Sequence, residues 1–122
     1  MSGRTDDSRR AAGTEAEGLA AAFLARHGLT IVERNWRCRS GEIDIIARDG
    51  ETLAFIEVRL RRRGDFGGAA ESITARKRAR MVAAAEQYLA GLARAPACRF
   101  DAILLDALDA ARIEWLKDVV AV

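Results

Sequence analysis

Two acidic residues stand in neighbouring strand-like runs of this sequence, where they could share a metal ion. Asp44 lies in the run Gly41–Arg48, and Glu57 lies in the run Leu53–Arg59. The dipeptide Asp49-Gly50 between the runs is typical of a two-residue hairpin loop, which would bring the two carboxylates onto one surface. Because magnesium and manganese prefer carboxylate oxygens, the pair is a candidate site for Mg²⁺ or Mn²⁺.

The Asp-Gly loop also predicts the pairing register of the hairpin. With these two residues as the loop, Arg48 lies opposite Glu51. Asp44 then lies opposite Phe55 and diagonal to Glu57. Side chains alternate between the two faces of a strand, so both acids share a face with apolar neighbours. An unpaired carboxylate is costly to desolvate in such surroundings, so this face predicts a compensating cation.

Two more residues extend the candidate site. Glu17 lies at the edge of the apolar stripe of an N-terminal helix, and it can reach the cation directly or through a water if that helix packs over the strand ends. Arg59 follows Glu57 on the same face, near the attacking water or the scissile phosphate. A metal ion held here would lower the pKa of a bound water and neutralise charge on the phosphorane, so the predicted chemistry is phosphodiester hydrolysis.

The same residues also have explanations without catalysis. Glu57 and Arg59 could belong to a surface ion-pair network with Glu42 and Arg61, which would contribute little energy. Glu17 could equally be a structural residue. His27 precedes a glycine at a helix end, where a capping role is favoured over catalysis. No serine or cysteine has a paired histidine, which argues against acyl transfer by a nucleophilic triad.

Basic residues cluster in the middle of the chain, although the formal net charge is only +2. Arginine forks match phosphate oxygens, so clusters beside an acidic site favour DNA as the partner, and the alternative is an ordinary solvated surface. The candidate nucleic-acid-binding residues are Arg37, Arg39, Arg61, Arg62, Arg63, Arg76, Arg78 and Arg80.

Other features exclude whole classes of protein. The two cysteines, Cys38 and Cys98, are too few and too far apart for a disulfide framework or a zinc site, which fits a reducing cytoplasm. No apolar run approaches the ~20 residues of a membrane span, so we expect no membrane association. Residues 1–12 are polar without an apolar core and are predicted to form a flexible tail before one domain, 13–122.

The hydrophobic pattern predicts one α/β domain with the element order α-β-β-β-α-β-β, in which two main helices pack against a mixed sheet. Asn35–Gly41 is expected to be a loop, and Thr74 is expected to cap the second helix. The predicted helices are Gly13–His27 and Thr74–Arg94, and the strands outside the hairpin are Leu29–Arg34, Cys98–Asp106 and Arg112–Leu116.

Several motifs in order resemble the YraN family of small bacterial proteins. They are Gly13, Glu17 and Ala20, then Glu33–Arg37, Gly41–Gly50, Phe55–Arg59, Thr74 with Lys77, and Arg99-Phe100-Asp101. That family resembles the restriction-endonuclease-like, PD-(D/E)XK superfamily and is similar in motif order to archaeal Holliday-junction resolvases. The resemblance implies a restriction-endonuclease-like sheet and a metal-dependent endonuclease acting on branched DNA. A homodimer is expected by analogy, since two strands need two sites.

By the same resemblance, Glu17 matches the helix glutamate, Asp44 the metal-binding aspartate and Glu57 the acid of the E-x-K motif. The chain departs from the family at Arg59, where lysine is usual. Arginine does not give up its proton, but it can orient water or stabilise the transition-state phosphate. Lys77 is a candidate for supplying the missing ammonium group from the second helix.

Three functions therefore compete at the level of sequence. The first is a metal-dependent DNA endonuclease. The second is a nucleic-acid-binding module that has lost catalysis, with arginine clusters on the DNA backbone and a vestigial acidic site. The third is an adaptor that recruits a protein partner through its sheet edge or its arginine surface.

Overall fold

The computed structural model describes residues 3–60, 75–106 and 112–119. Within these ranges the elements follow the predicted order α-β-β-β-α-β-β, which confirms the α/β fold. Their bounds are α1 Gly3–Arg26, β1 Thr30–Cys38, β2 Gly41–Asp49, β3 Thr52–Leu60, α2 Ala75–Ala90, β4 Cys98–Leu105 and β5 Ile113–Leu116.

The five strands form one mixed sheet in the order β1-β2-β3-β4-β5. Strands β3 and β4 are parallel, and the other neighbours are antiparallel. A parallel pair needs a crossover that returns the chain to the other end of the sheet, and this crossover contains α2.

Each helix covers one face of the sheet. On one face, Ala16, Ala20 and Leu24 of α1 belong to a buried cluster with side chains of β2, β3 and β4. On the other face, a second cluster joins α2 to the sheet through Met81, Ala84, Ala85, Ile46, Leu53, Phe55 and Phe100. Because β2 and β3 are covered on both faces, they are held firmly, and they provide a rigid base for the acids at their ends.

The register of the β2–β3 hairpin differs from the predicted one. Asp49 pairs with Thr52, so the two loop residues are Gly50 and Glu51. Gly50 has a φ of 61°, which suits the first loop position of a type II′ turn. A loop of Asp49-Gly50 in the type I′ form would instead require a positive φ at the aspartate as well, which explains why the predicted register is wrong.

The corrected register changes the predicted partner of Asp44. Phe55 pairs with Ile46 instead of Asp44, and the last pair of the ladder is Ile45 with Ile56. The difference is an even number of residues, so the paired segments 45–49 and 52–56 keep their predicted faces. Regular alternation is interrupted next to Asp44, because Ile43 and Ile46 belong to the same buried cluster. Asp44 and Glu57 come directly after the last pair of the ladder and occupy opposing positions on the two strands.

Strand β1 is longer than predicted. It continues to Cys38 through the pairs Trp36 with Ile43 and Arg37 with Glu42. The expected loop over Asn35–Gly41 is therefore wrong, because polar side chains on an exposed edge strand hide the strand pattern from the sequence.

The helix bounds also differ from the prediction. α1 begins at Gly3, since the segment 3–12 contains no proline to stop a helix. The division into a flexible tail, 1–12, and a domain, 13–122, stays a prediction. α2 ends at Ala90, short of the expected Arg94, and Leu92 beyond it is 37% exposed rather than buried. The predicted cap of α2, Thr74, lies outside the described residues.

A buried carboxylate joins three parts of the sheet. Asp101 on β4 is fully buried and accepts hydrogen bonds from Arg99 Nε at 3.0 and 3.1 Å, Trp115 Nε1 at 3.1 Å and the Asp118 backbone N–H at 2.9 Å. Arg99 also contacts Asp49 at 3.0 Å. The carboxylate thus ties β4 to β5, to the segment after β5 and to the β2–β3 turn.

Replacing Asp101 with alanine is expected to lower the free energy of unfolding by about 3–5 kcal/mol, because the donors of Arg99, Trp115 and the Asp118 backbone would lose their shared buried acceptor. Urea denaturation measures the difference. Asp118→Asn is the matched control, since Asp118 contributes its backbone N–H, and it should stay within about 0.5 kcal/mol of the original. An effect of Asp101→Ala no larger than the control would contradict this structural role.

Candidate acidic site

The acidic site lies where β2 and β3 stop pairing. Beyond the pair Ile45 with Ile56, the Val58 backbone N–H donates a hydrogen bond of 2.8 Å to Oδ2 of Asp44. The carboxylate of one strand therefore bonds to the backbone of the other. This bond fixes the direction of the Asp44 side chain at the opening between the strands.

Asp44 has a strongly raised pKa. Burial raises it most and the negative charge of Glu57 raises it further, so the pKa of Asp44 moves from 3.8 to about 7. The Val58 hydrogen bond opposes the shift because it favours the charged carboxylate, whereas the charges of Glu17 and Glu42 add to it. Four carboxylates thus act on one another, which is the electrostatic setting that a divalent cation relieves.

Lys77 of α2 reaches this site. Its Nζ lies 3.1 Å from Oε1 of Glu57, in a hydrogen-bonded ion pair in which 16% of the Glu57 side chain is exposed. The sequence suggested that a lysine from this helix could replace the one missing from the motif, and the structure brings that lysine to the motif glutamate.

A cleft of about 80 Å³ opens beside this ion pair. It is lined by Glu42, Glu57, Lys77, Arg80 and Met81. Its volume exceeds what a few waters need, and its walls carry both signs of charge. The cleft can therefore admit a hydrated cation or one phosphate group at a time.

Glu17 approaches the site from α1. Its Oε2 is buried and has no hydrogen-bond partner among the described residues. Burial raises the pKa of the Glu17 carboxyl above its ordinary value of 4.5, while a hydrogen bond from Asn35 and the positive charge of Arg34 lower it. An oxygen in this state has the capacity to accept a further bond from a ligand or a water.

The residues fit a divalent cation with two protein carboxylates. In the described part of the chain, no three His, Cys, Asp or Glu side chains converge as a complete ligand set. Magnesium usually takes one or two carboxylates and completes its octahedron with waters and substrate phosphate, so Asp44 and Glu57 are a sufficient protein contribution. The buried, unpartnered oxygen of Glu17 is a further candidate donor.

Arg59, the residue at the motif-lysine position, is half-buried on β3 opposite Leu104. Strand alternation places it on the same face as Glu57. Both the arginine of the motif and the lysine of α2 are thus directed to the face that carries the acidic site.

The candidate nucleic-acid-binding arginines are only partly brought together. Arg37 pairs with Glu42 at 3.3 Å on an exposed surface, and Arg80 lines the cleft. Arg39 and Arg76 are exposed, and Arg78 is half-buried. The remaining candidates, Arg61, Arg62 and Arg63, lie outside the described residues.

Two aromatic-ring residues, His27 and Trp36, have structural roles. His27 Nδ1 lies 2.8 Å from the Phe23 carbonyl, which agrees with the predicted capping role at the end of α1. Trp36 is half-buried and meets Tyr88 edge-on at 5.4 Å between ring centroids, so it packs against the core.

The sequence missed the hydrogen bond of Asn35 to Glu17 and its left-handed φ of 53°, because periodicity assigned Asn35 to a loop. The available signal was the residue type, because asparagine tolerates the left-handed backbone better than most residues do. Glu42 was considered only as part of an ion-pair network, and it proves to line the cleft as well.

A larger cavity, of about 410 Å³, contains none of the candidate catalytic residues. It lies near the β2–β3 turn, away from the acidic end of these strands, and it is mostly apolar. Its lining residues are Val32, Arg48, Glu51, Leu53, Tyr88, Leu92, Ala93, Arg94 and Pro96. Among the candidate catalytic residues, Glu57 and Lys77 line the smaller, charged cleft.

Comparison with known proteins places the chain in a sequence family. Residues 16–105 match the uncharacterised protein family UPF0102. The UPF0102 protein of Nitrosospira multiformis is 52% identical over 89% of this chain and 92% of its own length. The UPF0102 protein of Dechloromonas aromatica is 52% identical over 96% of this chain and 94% of its own length. That of Cupriavidus taiwanensis is 54% identical over 92% and 84%. These names state no activity.

Asp44→Asn is expected to stabilise the metal-free protein at high pH. The folded pKa of Asp44 lies above the unfolded value, so the wild-type protein loses stability as the pH rises from about 4 through about 7. Asparagine stays neutral and should raise the melting midpoint by roughly 5 °C at pH 8, with no gain at pH 3.5. Scanning calorimetry at both pH values measures this.

Glu51→Gln serves as the matched control for this prediction, because Glu51 is an exposed acid in the hairpin loop. It should leave the midpoint unchanged at both pH values. If Asp44→Asn raised the melting midpoint equally at the two pH values, the charge of Asp44 would not be the cause of the effect.

Proposed function

The chain belongs to the uncharacterised protein family UPF0102, the YraN family, and from this premise we propose that it is a divalent-metal-dependent endonuclease acting on DNA. One observation carries the proposal. Asp44 and Glu57 meet where the β2–β3 ladder ends, and Lys77 lies 3.1 Å from Glu57 in an open cleft. Two carboxylates and an ammonium group are the set that phosphodiester hydrolysis with a metal ion requires.

Each acid has a distinct part in this proposal. Asp44 and Glu57 would hold Mg²⁺ or Mn²⁺, and Glu17 would bind it directly or through a water. When bound, such a cation lowers the pKa of a water and neutralises charge on the phosphate. The hydrogen bond from Val58 keeps Asp44 oriented while the cleft is open to solvent.

Lys77 takes the role of the usual motif lysine. The Arg59 guanidinium stays protonated and supplies only charge and hydrogen bonds. The Lys77 ammonium group has three donors on a flexible stem, so it can bond to Glu57 and orient a water or a phosphate oxygen as well. In this assignment, Lys77 and Arg59 together stabilise the negative charge that develops on the phosphate in the transition state.

The basic surface supports DNA as the substrate. Arg80 lines the cleft, and Arg39 and Arg76 are exposed. The first turns of α2 add outward-directed backbone amides, which also favour phosphate. We propose branched DNA as the substrate and a homodimer as the active form, because two strands need two sites.

The cytoplasm is the proposed location. Cys38 and Cys98 are both free thiols in the structure, in agreement with a reducing compartment. Among the helices of the described ranges, none has the length and apolar character that a membrane crossing requires.

A second candidate function is DNA binding without cleavage. The motif position holds Arg59, and the Glu57 carboxylate is already engaged by Lys77. If that ion pair persists with DNA bound, the acids would not be free for a cation. The same arginines would then bind the phosphate backbone without hydrolysis.

Manganese-dependent cleavage of labelled DNA tests the first proposal. Purified protein should cut at least one of linear, flapped or four-way-junction DNA in Mn²⁺ but not in EDTA. Asp44→Asn and Glu57→Gln should each reduce the rate by roughly 100-fold or more, since loss of a metal ligand should cost at least as much as loss of an outer partner. Glu51→Gln should cleave normally.

Two outcomes would oppose cleavage as the function. One is the absence of a metal-dependent product with both the wild type and Arg59→Lys. The other is a product that survives Asp44→Asn at full rate, which indicates a contaminating nuclease. Strong DNA binding that weakens steeply with salt, without any product, would support the second candidate instead.

Lys77→Ala tests the replacement of the motif lysine. The cleavage rate should fall roughly 100- to 1000-fold, because a cationic donor at the reacting phosphate is lost. Arg59→Lys in the same chain should restore part of the rate. Glu86→Ala, at an exposed position later in α2, is the control and should cleave normally. Normal cleavage and metal affinity in Lys77→Ala would rule the role out.

A further inference from the structure

One residue in the middle of β1 has an unusual backbone conformation. Asn35 has a φ of 53°, in the left-handed region, although Arg34 pairs with Ile45 on one side and Trp36 pairs with Ile43 on the other. Residues other than glycine seldom adopt this region, and a strand does not require it. Asparagine is one of the few residues that tolerate it, so the residue type at this position suits the observed backbone.

This conformation coincides with a contact to α1. The Asn35 side chain donates a hydrogen bond to the Glu17 carboxylate, and the positive charge of Arg34 also acts on that carboxylate. Arg34 itself lies against the same turn of α1, since a Cβ at Gly18 would be 3.9 Å from its Nη2. Two consecutive residues of β1 thus surround Glu17.

Glu17 needs such support if it is to remain near the other acids. Its charge acts on Asp44 and on Glu42, and both interactions are repulsive. A glutamate side chain has rotatable bonds and would otherwise turn toward solvent, where its charge is better hydrated. Its buried Oε2 lacks a partner among the described residues, so the contacts of its other groups must hold it.

We infer that Asn35 is a positioning residue of the acidic site, whose left-handed backbone directs its amide onto Glu17 and holds that carboxylate toward Asp44. The inference rests on the proposed function, because it assigns Glu17 to the bound cation. Glycine would provide the backbone conformation more easily, but it would not provide the amide donor. Partners of this outer kind typically change metal affinity by about 10- to 100-fold.

The test separates the amide from the backbone. Asn35→Gly keeps access to the left-handed region and removes only the amide. Thr30→Gly, at an exposed position of the same strand, is the control for the added glycine. Two quantities are measured on the full chain: Mn²⁺ affinity by titration calorimetry, and the ¹³C shift of the Glu17 carboxyl at pH 8 without metal.

We expect Asn35→Gly to weaken Mn²⁺ binding about 10-fold and to change the Glu17 shift, with neither effect in Thr30→Gly. In a Glu17→Gln chain, Asn35→Gly should have no further effect on affinity, because the group that it positions is already altered. Unchanged affinity in Asn35→Gly would overturn the inference. If that variant does not fold, Glu17→Gln alone decides, since unchanged Mn²⁺ affinity there overturns it equally.

Failure of the proposed function has a different signature. A wild-type chain that binds no Mn²⁺ refutes the metal site, and it refutes this inference with it. A wild-type chain that binds Mn²⁺, beside an Asn35→Gly variant with unaltered shift and affinity, refutes the inference and leaves the metal site standing.

Discussion

The hydrogen bond from the Val58 N–H to Asp44 is the interaction on which the site depends. It forms where regular pairing of β2 and β3 has ended at Ile45 and Ile56. Because the carboxylate replaces a backbone partner, the strands can separate without leaving that N–H unsatisfied. The same bond prevents Asp44 from turning to solvent. The end of regular β2–β3 pairing and the fixed position of the Asp44 carboxylate thus coincide at one contact.

The confined charge sets the pattern of the surrounding contacts. Each outer carboxylate has its own positive or donor group, supplied by a different element. Asp44, at the centre, accepts the Val58 N–H, and its pKa is raised to about 7. The outer pairs are Glu57 with Lys77, Glu42 with Arg37, and Glu17 with Asn35. Under the proposed function, a cation shared by Asp44 and Glu57 would offset the repulsion at this centre.

The sequence predicted which faces of most strands are buried. It did not predict the register of the hairpin or the backbone conformation of Asn35. Alternation predicted the faces of the paired segments 45–49 and 52–56, and an even error in register left those faces unchanged. It did not predict the interruption next to Asp44, where Ile43 and Ile46 enter the same cluster. The register itself depended on whether Asp49 or Gly50 opens the loop, and a dipeptide preference does not decide this. The left-handed conformation of Asn35 and its hydrogen bond to Glu17 of α1 are not signalled by any periodicity within β1.

The topology explains why a lysine is available although the motif position holds arginine. Strands β3 and β4 are parallel, so the chain leaves β3 at the acidic end and must return to the other end before β4. Helix α2 makes part of that return, and Lys77 in its first turns lies against Glu57. Lys77 of α2 and Arg59 of β3 are thus both directed to the face of the sheet that carries Glu57. A cationic side chain can therefore come from either element without a change of fold.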